Sequence, residues 1–155
     1  EAGICYGQLD IDCEDPRPVA AKLKPMLPEN TPLISSPLRR ARKLAEMLDP
    51  KARVDARLSE INFGEWEGLA WDDIDRKMLD AWAADVLHFA PPGGESVADL
   101  RQRAIDFADS LVGPRVALVA HAGILRALSG YWRHLPTEEW TQLEFAFGSL
   151  TMIEI

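Results

Sequence analysis

Arg40 and His121 are the two side chains whose types and positions could together hold a phosphoryl group during transfer. Arg40 belongs to the run Leu33-Ile34-Ser35-Ser36-Pro37-Leu38-Arg39-Arg40-Ala41, which reads as a short apolar strand turning into a helix with arginines in its first turn. The N-terminal end of a helix presents unpaired N–H groups and a partial positive charge, so a cation there is disfavoured by roughly 0.3–1 kcal/mol unless an anion lies beside it. A bound phosphate would supply that anion. His121 follows a second apolar run, Val116 to Ala120, and precedes Ala122 and Gly123. Its ring and the neighbouring backbone N–H groups can therefore face one anion. Alone, a histidine at a strand end more often packs than reacts; beside an inward arginine it becomes a candidate phosphate ligand.

Two strand-to-helix junctions must position these residues. In the first, Ser36 is the predicted N-cap, Pro37 the predicted first helical residue, and the helix is expected to run to about Leu48. At about 100° per residue, Leu38, Ala41, Leu44, Ala45, Met47 and Leu48 share one side, and Arg39, Arg42, Lys43 and Glu46 the other. Arg40 falls between Leu44 and Met47, on the side that should face the protein. It either snorkels to water from the edge of the stripe or offers an inward guanidinium to an oxyanion.

Elsewhere, residues 1–15 read as loop, and Pro18 to Leu27 as a helix that Pro25 disturbs. Arg53 to Leu58 is expected to be extended, and Ile61 to Gly68 a loop punctuated by glycine. Helical spacing of Trp71, Ile74, Met78 and Trp82 predicts a helix over about Trp71 to Leu87, with these residues as core. Pro91-Pro92-Gly93-Gly94 ends it, and Ser96 with Asp99 reads as a capping box opening a helix that buries Val97, Leu100, Ala104, Phe107 and Leu111. Arg115 to Ala120 predicts a buried parallel strand, followed by helices over Ile124–Ser129 and Thr137–Phe145 and a last strand over Ser149–Ile155. The alternation implies one three-layer α/β/α domain with a mostly parallel central sheet and ligands beyond the carboxyl ends of its strands.

Composition narrows the function classes. A chain of 155 residues can bury one substantial core. Its formal net charge of −8 argues against nucleic acid or an anionic membrane as partner, so an anionic substrate needs a local basic pocket. No apolar run is long enough to span a membrane, and none reads as a secretory signal. Cys5 and Cys13 lack companions at metal-ligand spacing and suit free thiols in a reducing compartment, which favours the cytoplasm.

Four ordered segments resemble the histidine phosphatase superfamily, which includes the cofactor-dependent phosphoglycerate mutases. They are Ser35-Ser36-Pro37-Leu38-Arg39-Arg40-Ala41, Leu58-Ser59-Glu60 through Gly64-Glu65-Trp66-Glu67-Gly68, Pro92-Gly93-Gly94-Glu95-Ser96, and Val119-Ala120-His121-Ala122-Gly123-Ile124-Leu125-Arg126. The resemblance implies a metal- and cofactor-independent phosphomonoesterase working through phosphohistidine on a small-molecule substrate. Arg40 would hold phosphate oxygens, assisted by the Ala122 N–H, and His121 would be the second histidine of the site. Glu60 would protonate the leaving oxygen and then activate water; composition alone does not select it over Glu65 or Glu67. Gly7 and Gln8 would line the entrance, and the Cys5-Tyr6-Gly7-Gln8 loop looks most like the α-ribazole phosphatase branch of cobalamin synthesis.

The family's nucleophile is a histidine in an Arg-His pair ending an N-terminal strand. Arg133-His134 is the one Arg-His here and lies in the wrong setting, so that strand is expected upstream of Glu1 and residues 1–155 are expected to form a single domain lacking it. The alternatives are a mutase-type phosphotransferase, which the compact chain disfavours, and an inactive relative that binds phosphorylated ligands or a protein. The oligomeric state is left open.

Overall fold

The computed structural model describes residues 3–154. Three short parallel strands organise it: β1 (Leu33–Ser35) lies between β2 (Arg53–Val54) and β3 (Ala117–Val119). Ile34 stands opposite Arg53 and Leu118, and Ser35 opposite Val54 and Val119. Beyond this register the Ser36 N–H donates to the Val119 carbonyl at 2.9 Å, which ties the carboxyl ends of β1 and β3 together.

Successive side chains of a strand point to opposite faces, and here that alternation divides two cores. Ile34, Leu118 and the flanking Val116 and Ala120 pack on one face against α4 (Val97–Asp109), α5 (Ala122–Trp132) and α6 (Thr137–Trp140). Leu33, Ala117 and Val119 pack on the other against α1 (Arg17–Leu23) and α2 (Arg39–Leu48). Helices thus cover both faces of a parallel sheet, the three-layer α/β/α arrangement anticipated from the sequence. A third cluster lies beside them: Cys5, Trp66 and Ile74 are buried among Phe63, Trp71, Met78, Trp82 and Phe89, with Phe63 edge-on to Trp71 at 5.8 Å between centroids. Of the tryptophans of this region Trp66 is buried core, while Trp71 and Trp82 are half-buried and stack on each other at its margin.

Several boundaries differ from expectation for local reasons. Helix α2 begins at Arg39 with Leu38 as N-cap, not at Pro37 with Ser36. Leu38 is extended (φ −63°, ψ 132°), so the chain has not yet turned helical at Ser36. Within α2, Ala41, Ala45 and Leu48 are buried, but Leu44 is only half-buried and Met47 is exposed. Pro25 ends α1 at Leu23 and leaves a 3-10 turn over Lys24–Met26. The stretch after β2 is a 3-10 turn over Ala56–Leu58 instead of a continued strand.

The predicted Trp71–Leu87 helix divides into a 3-10 turn (Trp71–Asp73) and α3 (Arg76–Ala84). The Asp75 carboxylate takes the N–H groups of Lys77 and Met78 and starts a new helix there. The Ser96–Asp99 capping box forms as expected. Residues Val116 to Ala120 are half-buried because β3 is an edge strand among the described residues. Helix α5 starts at Ala122 and runs past Ser129 to Trp132, whereas α6 stops at Trp140. Residues 149–154 are irregular, and Ile155 lies outside the described residues. Among the described residues no helix is long and apolar enough to cross a membrane.

Candidate active site

The tie between Ser36 and Val119 brings both strand-to-helix junctions to one edge of the sheet. His121, only 9% exposed, caps α5 from an extended backbone and places Nε2 at 2.8 Å from Ser36 Oγ. The same hydroxyl accepts the Leu38 N–H at 3.2 Å. Ser36 therefore anchors the histidine instead of capping α2, a role that its position beside a proline did not suggest. Burial, reinforced by the positive charges of Arg40 and Arg103, pushes the His121 imidazole down to about 3. The ring is neutral at physiological pH and can present an N–H or a lone pair to a ligand.

The conflict of charge at the start of α2 is resolved within the chain. Asp10 accepts the Arg39 N–H through Oδ1 at 2.8 Å, and its Oδ2 lies 3.3 Å from Arg39 Nε. The anion at this helix end is thus a carboxylate, and it serves Arg39. Arg40 turns inward as the wheel indicated and lies over the Tyr6 ring, 5.6 Å from its centroid. Its Nη1 donates to the Leu9 carbonyl at 3.1 Å and its Nη2 to the Gly7 carbonyl. A guanidinium has five N–H donors, and those two contacts leave capacity for an anion.

Glu60 enters from the turn after β2. Its Oε2 accepts the Gly123 N–H at 3.1 Å and its Oε1 the Ile61 N–H at 3.0 Å, so the carboxylate lies against the first turn of α5 beside Ala122. A Cβ on Gly123 would collide with Oε1, which explains the glycine. Gln8 Nε2 donates to the Glu60 carbonyl at 3.0 Å, placing the 7–9 loop at the same edge. The fold therefore gathers Gly7, Gln8, Arg40, Glu60, His121 and Ala122 in one locality.

Two more charged residues support this locality: Arg103, which the sequence analysis did not single out, and Glu67, which it weighed only as an alternative to Glu60. Arg103 of α4 donates to the carbonyl oxygens of Arg57 (2.8 Å), Ser59 (2.6 Å) and Glu60 (3.0 Å) while pairing with both oxygens of Glu95. Glu67 accepts the N–H groups of Gly7, Gln8, Leu9 and Phe63 at 2.8–3.0 Å. Glu65 is exposed.

Other candidate groups lie outside the chemistry. His88 is exposed and contacts Asp85 at 3.0 Å; His134 is exposed with φ 53°. Burial, with the Glu67 charge, pushes the Cys5 thiol up to about 12, so it stays protonated and unreactive. Among the described residues no group of three His, Cys, Asp or Glu side chains could hold a metal ion.

Residues 4–155 match the histidine phosphatase superfamily (branch 1). The glucosyl-3-phosphoglycerate phosphatase of Mycobacterium tuberculosis is 35% identical over 159 residues, an alignment spanning 88% of this chain and 71% of that protein. The solved structure of a mycobacterial glucosyl-3-phosphoglycerate phosphatase superposes with a TM-score of 0.77 at 33% identity, covering 92% of this chain and 77% of its own. A phosphoglycerate mutase structure from Thermus thermophilus gives 0.66 at 35% identity, covering 81% and 72%.

Proposed function

The chain belongs to the histidine phosphatase superfamily and is a phosphoric monoester hydrolase, and we propose that Arg40, Glu60 and His121 carry its chemistry without a metal. The observation that supports this assignment is their convergence: an inward guanidinium, a neutral imidazole and a carboxylate at the carboxyl edge of one sheet. Phosphoryl transfer spreads negative charge over equatorial oxygens, so its main needs are fixed donors and a proton source. The remaining Arg40 N–H groups and the Ala122 N–H hold those oxygens, and His121 donates a further N–H. Glu60, aimed by Gly123 and Ile61, enters the first step in its acid form and gives its proton to the leaving oxygen; the carboxylate that remains then takes a proton from the attacking water.

In this proposal the phosphoryl group rests covalently on an imidazole between the two steps. His121 is the one histidine at this locality among the described residues, and Ser36 holds its Nε2. His88 and His134 are exposed and contact none of the site residues, so the described residues supply one of the imidazoles that this route uses. Trapping an acid-labile phosphoprotein after brief exposure of the full-length protein to substrate tests it; turnover with no such species would exclude it.

The substrate we propose is a small phosphorylated hydroxy acid of the glucosyl-3-phosphoglycerate kind, after the relatives named for that activity. A second reading, α-ribazole 5′-phosphate, rests on the Cys5-Tyr6-Gly7-Gln8 loop, which the site uses directly through Gly7 and Gln8. Hydrolysis of p-nitrophenyl phosphate in excess EDTA tests metal independence, with loss of turnover on chelation as the contrary result. Comparing kcat/KM for the two candidate substrates then decides between them. Conversion of 3-phosphoglycerate to its 2-isomer with a bisphosphate primer would favour a mutase over both.

A further inference from the structure

The loop that holds Arg40 is itself held from behind. Each oxygen of the Glu67 carboxylate accepts two backbone N–H groups: Oε1 takes those of Gln8 (2.9 Å) and Phe63 (3.0 Å), and Oε2 those of Gly7 (2.9 Å) and Leu9 (2.8 Å). On the other side the same loop turns the carbonyl oxygens of Gly7 and Leu9 to Arg40. The loop is thus clamped with its N–H groups on an anion and its C=O groups on a cation, and each charge polarises the peptides toward the other. Its backbone packs closely on the neighbouring segment, because a Cβ at Gly7 would overlap the Ile61 carbonyl. Burial alone would raise the Glu67 carboxyl, but the four N–H bonds hold it below the usual carboxylate range. The clamp is charged at neutral pH.

We propose that Glu67 is the positioning residue for Arg40, fixing through the Gly7 and Leu9 carbonyl oxygens where the guanidinium meets the substrate's phosphoryl group. The proposal rests on the assignment of Arg40 as the phosphate ligand and adds what sets its location. Glu67→Gln is the informative change because it keeps shape and removes function at defined atoms. The amide retains one acceptor oxygen and turns an NH2 donor toward the two N–H groups that the other oxygen served. The loop must shift, and the two carbonyl oxygens that hold Arg40 shift with it.

The test measures competitive inhibition by inorganic phosphate, with p-nitrophenyl phosphate as substrate, for full-length wild type, E67Q, R40Q and the double variant. Glu67→Gln is expected to raise the phosphate inhibition constant about ten-fold, with KM rising more than kcat falls, and to have no further effect once Arg40 is Gln. A general loss of structure would instead lower the melting temperature in both backgrounds and weaken phosphate binding in both. An unchanged inhibition constant in E67Q while R40Q is weakened overturns the role of Glu67 alone. Equal constants in wild type and R40Q overturn the assignment of Arg40 and this proposal with it. Should E67Q fail to fold, a phosphate titration of wild type followed by NMR decides. The amide signals of Gly7, Gln8 and Leu9 must saturate together with those of the Arg40 guanidinium, and static amides overturn the proposal.

Discussion

Arg40, in the first turn of α2, and Arg103, midway along α4, both turn inward from their helices and end in opposite states. Each sits at the margin of an apolar stripe, turns inward and donates to backbone carbonyl oxygens of a neighbouring loop. Arg103 is also neutralised: both Glu95 oxygens lie on its guanidinium, and the two side chains are 20% and 18% exposed. Arg40 has neutral oxygens and a tyrosine face as partners among the described residues, and no carboxylate. A guanidinium that is fully paired holds structure together, while one kept from a counter-ion at a sheet edge retains its field for an incoming anion. The same residue type therefore serves as a fastener in α4 and a ligand site in α2.

The largest expected effect breaks that comparison on its functional side. Arg40→Gln should lower kcat/KM for phosphomonoesters by about 10²–10³-fold, the range seen when a donor to developing charge is removed. Its stability should fall by only about 1 kcal/mol, because of the two bonds given up, that to the Leu9 carbonyl is exposed to water and that to the Gly7 carbonyl is only partly buried. Steady-state kinetics and urea unfolding on one preparation check both. A stability loss equal to that of the Arg103 variant would erase the distinction.

Arg103→Gln should show the opposite profile. It strands the Glu95 carboxylate and three loop carbonyl oxygens, and partial burial places the cost at about 2–3 kcal/mol, below the value for a fully buried pair. Activity should fall less than in Arg40→Gln and through kcat, since the segment freed is the one that aims Glu60. Chemical denaturation measures the first effect and the KM-against-kcat split the second.

How much of this was legible beforehand follows from where each interaction is encoded. The α/β layering could be read because short apolar runs and helical apolar patterns are local, and the Ser96–Asp99 cap because both partners lie within one turn. Arg40 stood out as a charge on an apolar side. Arg103 carried the same signal, about 60° from Leu100 and about 40° from Phe107 on the helical wheel, but no chemistry at its strand end drew attention to it. Asp10, Ser36 and Glu67 act across long sequence separations: Asp10 caps a helix 29 residues away, Ser36 meets a ring 85 away, and Glu67 serves a loop 60 away. No periodicity predicts such partners. The helix over Trp71 to Leu87 was overextended because its tryptophans do share a cluster, though a capped break at Asp75 intervenes.

The pH dependence of folding sharpens the comparison, because both arginines act on His121. Its imidazole titrates near 6.5 when unfolded and near 3 when folded, so between these values the unfolded chain binds more protons. Stability is therefore fully present above about pH 6.5 and falls by about 1.4 kcal/mol for each unit of acidification toward 3. Urea unfolding at about pH 7.5 and about pH 5.5 should show this slope, and His121→Gln should remove it. The carboxyls held low in the fold, Asp12, Asp55 and Glu67 among them, lose stability in the same direction only as the pH nears their ordinary values of 3.8 to 4.5, so a comparison of about pH 7.5 with about pH 5.5 reads mainly the imidazole. Adding phosphate should raise the His121 midpoint in a histidine NMR titration, since an anion between imidazole and Arg40 offsets the guanidinium field. An unmoved midpoint would place phosphate elsewhere.

The smallest effect isolates Arg39 from Arg40. Asp10 accepts the first N–H of α2 and pairs with Arg39, so it does for this helix what the sequence assigned to a phosphate. Asp10→Ala should cost about 0.5–1 kcal/mol, the usual value of a lost cap, without a comparable loss of phosphate affinity. The pair is about 43–44% exposed, which keeps its ionic part small and sensitive to salt. If phosphate instead binds more tightly to Asp10→Ala than to wild type, the helix end itself is the anion site. The carboxylate would then be a competitor of the substrate, and Arg39 would belong with Arg40 in the site.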